Sequence, residues 1–306
     1  MRRFLSRVLP LLLSFGLIFN CTGCSTVLVL AGKARENSEA SSSVISESSA
    51  SSGVISTPVP TEDGDLRAFY TDVANAESVT VMVYMIGSDL ESEDGSATDD
   101  LLEMADAALS ENVHLVLQTG GTETWWNDVC TDDESERFVI ENGDMTLLQS
   151  LGSMNMTDAD TLSDFIRFSA ESYPADRYEL ILWDHGGGTM TGFGYDELYE
   201  DTSLTLSSLS TALYNGGVQF DFIGFDACLM ATAEVAYALD PYADYLIASE
   251  ESEPGEGWAY KNWLTMLAED PAVPTAELGK KLADDFLEAY IFADMPTLSV
   301  LDLRYV

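Results

Sequence analysis

The sequence predicts an α/β domain: a doubly wound, mostly parallel sheet of six strands flanked by helices. Three observations predict it. Short apolar runs, of a length suited to strands covered on both faces, recur along the chain. Segments with helical spacing of apolar residues separate them, as crossover connections between parallel strands require. Two of the runs, Leu180-Ile181-Leu182-Trp183-Asp184 and Phe222-Ile223-Gly224-Phe225-Asp226-Ala227, end in turns that open with His185-Gly186-Gly187-Gly188 and with Cys228. In open α/β sheets chemistry gathers at the carboxyl ends of the strands. An imidazole and a thiol delivered there are the recognisable form of a nucleophile with its acid/base partner.

In order along the domain, Val79 to Ile86 is a fully apolar strand, followed by Gly87-Ser88-Asp89-Leu90 and an acidic loop. Ala97 to Leu109 carries a helical stripe of Leu101, Leu102, Met104, Ala105, Ala108 and Leu109. Val113 to Thr119 is the second strand. Residues 127 to 150 form short segments around Asn142-Gly143-Asp144, a hairpin signal. A helix follows over Thr157 to Ser172, capped by Thr or Asp and closed by Pro174. Tyr178 to Asp184, Gln219 to Phe225, Tyr242 to Ser249 and Leu298 to Leu303 complete the sheet, with helices over Leu204 to Tyr214, Leu229 to Leu239 and Thr275 to Ala293. The chain stops at Val306 directly after a strand, so further sequence is expected beyond it.

The 306 residues, 46% of them hydrophobic, suffice for one substantial core. The first 24 stand apart from it. Arg2, Arg3 and Arg7 precede the apolar stretch Val8 to Phe19, whose length of about 12 residues suits a signal peptide and falls short of a membrane span. Cys21-Thr22-Gly23-Cys24 resembles the bacterial lipobox, with Cys24 as the lipidated residue and new N-terminus. Cys21 stands where that pattern usually has Leu, which leaves ordinary signal cleavage as the alternative. The Ser/Ala-rich, aromatic-free linker over 25–66 cannot bury enough surface to order itself and is expected as a tether for the domain at 67–306. Tether and anchor imply the outer face of a bacterial membrane, or secretion.

The formal charge is -40, and removing residues 1 to 24 deletes three Arg and no acid. Such a surface repels nucleic acid and anionic lipid and draws cationic ligands. Keeping an exported protein soluble accounts for it equally well. Beyond Cys24 only Cys130 and Cys228 remain, so there is no disulfide framework.

With these residues in hand, the chain resembles the clostripain family of cysteine peptidases, within the caspase-like clan. The resemblance rests on VMVYMIGSDLES at 81–92, LILWDHGGG at 180–188, IGFDACLMA at 223–231 and ASEESEPGEGW at 248–258. It implies a caspase-like sheet and an endopeptidase acting on peptide or protein substrates through Cys228 and His185. The backbone N–H groups of Gly186 and Cys228 would hold the oxyanion. Cys228 is expected to open the helix at Leu229, whose N-terminus would favour a thiolate. The resemblance also implies cleavage after Arg or Lys, with Asp226 at the base of the specificity pocket, where a cationic side chain would neutralise it; a turn or capping Asp is the alternative. Ser249, Glu250 and Glu251 would line the pocket from the side. Asp184 either orients the imidazole or serves the turn, and Trp258 either walls the pocket or packs in the core. No cofactor is required; the acidic loop Tyr195-Asp196-Glu197 with Asp201 is either a Ca²⁺ site, as in some family members, or solvated. His114 and Cys130 are expected to be structural or incidental, and the domain to be a monomer. Family zymogens often cut themselves at a basic residue between the two site residues, yet Gly186 to Ala227 holds no Lys or Arg. Two other readings keep the same fold: a cysteine hydrolase of different P1 preference, and a non-catalytic lipoprotein adhesin or binding module.

Overall fold

The computed structural model describes residues 71–199, 202–290 and 296–306. The signal-like segment, the lipobox-like residues up to Cys24 and the whole Ser-rich linker over 25–66 lie outside the described residues.

Strand β1 (Val79–Ile86) is buried at every position and lies near the middle of an eight-stranded sheet. Its side chains alternate between two cores. Met82, Tyr84 and Ile86 enter one, while Val79, Val81, Val83 and Met85 enter the other. Covering both faces is what permits the unbroken apolar run. Beside β1 run β2 (Val113–Gly120) and β5 (Arg177–Trp183), followed outward from β5 by β6 (Phe220–Asp226) and β7 (Ala243–Ala248), all parallel.

The sheet has eight strands rather than the six expected, because the hairpin at Asn142-Gly143 joins it. Strands β3 (Glu136–Glu141) and β4 (Asp144–Ser150) extend the edge beyond β2 as an antiparallel pair. Asn142 and Gly143 both have positive φ, the backbone of a two-residue turn that keeps the strand twist. At the opposite edge β8 (Ser299–Asp302) pairs antiparallel with β7. Parallel pairing is confined to the centre.

Helices α3 (Ala159–Ser172), α5 (Leu206–Gly216) and α6 (Ala233–Leu239) cover one face. Helices α2 (Ser96–Ala105), α7 (Tyr260–Glu269) and α8 (Thr275–Ala289) cover the other. Asp158 caps α3 and Thr205 caps α5 through side-chain oxygens, satisfying first-turn N–H groups. Helix α8 ends at Ala289, and of the last residues expected in it 291–293 lie outside the described residues. Three helices lie outside the sequence expectations: α1 (Ser88–Ser92), a short turn off the end of β1; α4 (Gly188–Thr191), a single turn after β5; and α7, whose Tyr260, Trp263, Leu264 and Leu267 form an apolar stripe. Among the described residues no helix is long and apolar enough to cross a membrane.

Candidate active site

Trp183 at the end of β5 is paired with Asp226 at the end of β6, and the N–H of Asp184 donates to the carbonyl of Asp226 at 3.2 Å. His185 and Cys228 therefore leave neighbouring parallel strands two residues beyond a shared register position. Gly186 brings the two turns into contact. A Cβ on Gly186 would lie 2.0 Å from the carbonyl oxygen of Cys228, an approach only glycine permits. Gly186→Ala is expected to force these turns apart, costing about 1–3 kcal/mol by the usual scale of overpacking. Chemical denaturation against the parent measures it.

Both side chains line one cavity of about 200 Å³, together with Leu90, Trp183, Asp226 and Glu253. The imidazole Nε2 of His185 lies 2.7 Å from Oδ1 of Asp89, a residue of α1 that the sequence reading passed over. Asp184 does not orient the ring. Its Oδ1 accepts the Ser88 hydroxyl at 2.7 Å and its Oδ2 accepts the N–H of Tyr195, so it anchors the loops around the histidine. Burial pushes the Asp184 carboxyl up to about 7. The Sγ of Cys228 accepts the Glu253 N–H at 3.2 Å.

Cys228 does not sit at a helix N-terminus. Helix α6 begins only at Ala233, after the Thr232 cap. The intervening residues are held off the helix by bonds to the next loop: Leu229 N–H to the carbonyl of Glu251 at 2.9 Å and Ala231 N–H to that of Ser249 at 2.8 Å. Leu229 takes a positive φ of 64° in doing so. Ser249 and Glu250 are correspondingly not part of the cavity wall. Ser249 is buried and bonded to Thr297, and Glu250 accepts the hydroxyl of Ser299. Their loop braces the cysteine turn through its backbone.

Acidic side chains do gather at the cavity, from other positions. Asp226 is buried, its Oδ2 accepting the Trp258 N–H at 2.9 Å and the Tyr260 hydroxyl at 2.8 Å, and burial pushes its carboxyl up to about 7. Asp100 from α2 accepts the Trp183 indole N–H at 2.6 Å. At Gly257, with φ of +70°, a Cβ would meet oxygens of both Asp100 and Asp226, so the backbone leaves room for two converging carboxylates. The two oxygens of Glu253 are sealed from solvent, beside the carboxyl of Asp226 and the indole of Trp258. Burial first, then the charges of Asp226 and Cys228, raise its carboxyl well above the ordinary range. The Lys and Arg side chains among the described residues pair elsewhere, with Asp106, Asp164, Glu179, Asp221, Asp284, Asp285 and Asp302. Glu253 lay within the ASEESEPGEGW block, the signal that could have found it; Asp89 lay within VMVYMIGSDLES.

Trp258 is a core residue, its backbone N–H serving Asp226. His114 packs at a tilt against the ring of Tyr173 near the start of β2, at the opposite end of the parallel strands from the site. Cys130 is buried, its thiol pushed up to about 12 by burial. Asp196 accepts the N–H groups of Met156 and Leu198, and Glu197 binds Ser92 and Glu123; Asp201 lies outside the described residues. Among the described residues no group of three His, Cys, Asp or Glu side chains is arranged for a metal ion.

A thiol and an imidazole handed by adjacent parallel strands to one acidic cleft define the class of site: the layout of an α/β cysteine hydrolase. A sequence profile described as the clostripain family matches residues 83–306, and the chain belongs to that family. It is 35% identical over 123 residues to clostripain of Hathewaya histolytica, an alignment covering 35% of this chain and 23% of that one. Its fold is similar to a secreted C11 cysteine protease from Bacteroides thetaiotaomicron bound to an irreversible peptide inhibitor, with TM-score 0.58 and 24% identity over 70% of this chain and 59% of the other. An inactive zymogen C11 protease from Parabacteroides distasonis is similar at TM-score 0.58 and 26% identity, over 75% and 63% of the two chains. The chain thus spans less than two thirds of each of these relatives.

Proposed function

We propose that this chain is an exported cysteine endopeptidase that cleaves peptide bonds after Arg or Lys, with Cys228 as nucleophile and His185 as acid/base. The observation that carries this reading is the single cavity lined by the thiol, the imidazole and the carboxylates of Asp226 and Glu253. Buried carboxyl groups with no cation of their own suit a guanidinium or ammonium group from the substrate, whose charge favours their ionised form. The repulsion between an anion and the nucleophile two residues away is relieved at the same moment, because the bound cation neutralises it.

Chemically, the proton of the Cys228 thiol passes to His185, and Sγ bonds to the scissile carbonyl carbon. The tetrahedral intermediate collapses by breaking the C–N bond, and the leaving amine takes the proton from the imidazolium. Water then gives a proton to His185 and its hydroxide to the thioester carbon, and the sulfur leaves and recovers the proton. The oxyanion would face the Gly186 N–H. The bonds joining that turn to the next segment run from Gly187 N–H to Gly192 and from Gly194 N–H to His185, which directs the Gly186 N–H away from Phe193. The N-terminal Arg residues, apolar stretch and Cys24 support export with lipid attachment, the Ser-rich linker serving as tether to a monomeric domain.

A fluorogenic panel with Arg, Lys, Gln, Leu and Asp at P1, run with and without a calcium chelator, tests the reading. Arg and Lys substrates are expected to be preferred at least about tenfold and the rates to be unaffected by chelation. A preference for neutral P1 would reassign the pocket, and no hydrolysis of any substrate would leave a binding module.

A further inference from the structure

The geometry points to Asp89 as a positioning residue for the catalytic histidine, an inference that rests on the peptidase reading above. Strands β1 and β5 are in register up to Met85 opposite Trp183. Just beyond, two consecutive residues of one turn grip two consecutive residues of the other. Ser88 donates to Asp184 Oδ1 at 2.7 Å, and Asp89 meets His185 Nε2 at 2.7 Å. The two contacts form one clamp.

The clamp is held in a backbone conformation that L-residues avoid. Ser88 has φ of +50°, in the left-handed region, and persists there because its surroundings determine it. It is wholly buried; its N–H donates to the carbonyl of Gly121 at 3.1 Å, and its own carbonyl accepts the Thr122 hydroxyl at 2.9 Å. Straightening that residue would carry Asp89 off the imidazole. With both oxygens of Asp184 spent on Ser88 and Tyr195, the carboxylate left to contact the ring is that of Asp89.

Accepting from Nε2–H selects the tautomer whose lone pair is on Nδ1, the nitrogen then available to take the thiol proton and pass it to the leaving amine. Asp89 does not line the cavity that holds the thiol, so its carboxylate acts through the ring. Asp89 and His185 are each nearly half exposed, at 45% and 43% of their side-chain area, and ion pairs so exposed contribute little to stability. Catalysis and folding should therefore separate.

The test compares Asp89→Ala and Asp89→Asn with the parent on an Arg amide and an Arg ester of the same acyl group. Breakdown to an amine needs a proton from the imidazolium, whereas an ester with a good leaving group needs it far less. For Asp89→Ala, kcat on the amide is expected to fall about 10- to 100-fold, with KM and the unfolding midpoint unchanged, while the ester rate falls severalfold at most. Asp89→Asn, which keeps an acceptor but not the charge, should fall between. The chain has two histidines, so ¹⁵N NMR of the rings, assigned with His114→Gln, reads the tautomer directly: Nε2–H at His185 in the parent, a mixture in Asp89→Ala. Equal losses on amide and ester, or a ring tautomer that does not respond to Asp89, would overturn the role while leaving the peptidase reading intact. A parent that hydrolyses neither substrate would overturn both.

Discussion

Cys228→Ala is expected to lower hydrolysis of Arg and Lys amides by about 10⁴-fold or more, the scale seen when a covalent nucleophile is removed. Folding should survive. Cys228 lies in a half-buried turn, and its sulfur accepts one backbone N–H, from Glu253. Losing a bond of this kind costs about 0.5–1.5 kcal/mol, while the turn itself is held by the backbone bonds of Leu229 and Ala231 to the 249–251 loop. Single-turnover assays and thermal unfolding of the same preparation measure the two effects. Retained activity in a folded Cys228→Ala protein would remove the thiol from the mechanism.

Asp226→Asn is expected to do two opposite things. Removing one partner of a buried charge pair costs about 2–5 kcal/mol, so kcat/KM for Arg and Lys substrates should fall from about thirty-fold to several-thousand-fold, with neutral P1 substrates little affected. In the absence of substrate the same change should stabilise the protein. Burial raises the folded-state carboxyl from its ordinary 3.8 to about 7, so between those values the folded protein binds more protons than the unfolded chain. The contribution to stability is complete below pH 4 and is lost as the pH rises through 7. At pH 8 the folded site holds a buried anion, which Asn does not. The unfolding temperature of Asp226→Asn should exceed the parent's by about 2–4 °C at pH 8, and the gain should vanish towards pH 4. Asp184, raised to about 7 by the same cause, leaves a residual pH dependence of the same sign in the variant. Uniform loss across all P1 residues, or a lower unfolding temperature at pH 8, would show that Asp226 braces the Trp258 and Tyr260 segment and does not receive the substrate's charge.

Site and stability are in tension here. On the proposed reading, carboxyl groups buried to receive a cationic side chain cost stability, and the surrounding sheet offsets that cost. Glu253 carries the tension furthest, its carboxyl sealed from solvent beside Asp226 and raised well above the ordinary range by burial.

The residues that had to be read two ways from sequence were decided by direction. Asp184 and Asp89 are both carboxylates near His185, one adjacent in the chain and one 96 positions away, and contact with the ring belongs to the distant one. Likewise Glu250 and Glu253 share an acidic loop, yet Glu250 turns to Ser299 while Glu253 turns into the cavity. The expectation of a helix starting beside Cys228 failed for a related reason. Leu229 to Ala231 have acceptable helical composition, but acceptors on the 249–251 loop compete for their N–H groups and win. Helix α7 was within reach of the sequence through its apolar stripe. The edge hairpin was visible as a turn but not as part of the sheet, because β4 is largely exposed and lacks a buried run.

The amino-acid sequence by itself determined the α/β class, the central parallel strands, and the delivery of His185 and Cys228 to one edge of the sheet. These follow from the period and length of apolar runs, and periodicity is a property of the chain alone. Tertiary structure alone decided which carboxylates face the imidazole and the cavity, because that depends on side-chain direction and on competition for hydrogen-bond donors between segments remote in the sequence. The strained turn at Ser88 is the sharpest instance: its φ is imposed by contacts from the residue just after β5 and from the loop after β2, and nothing in the residues GSDL announces it.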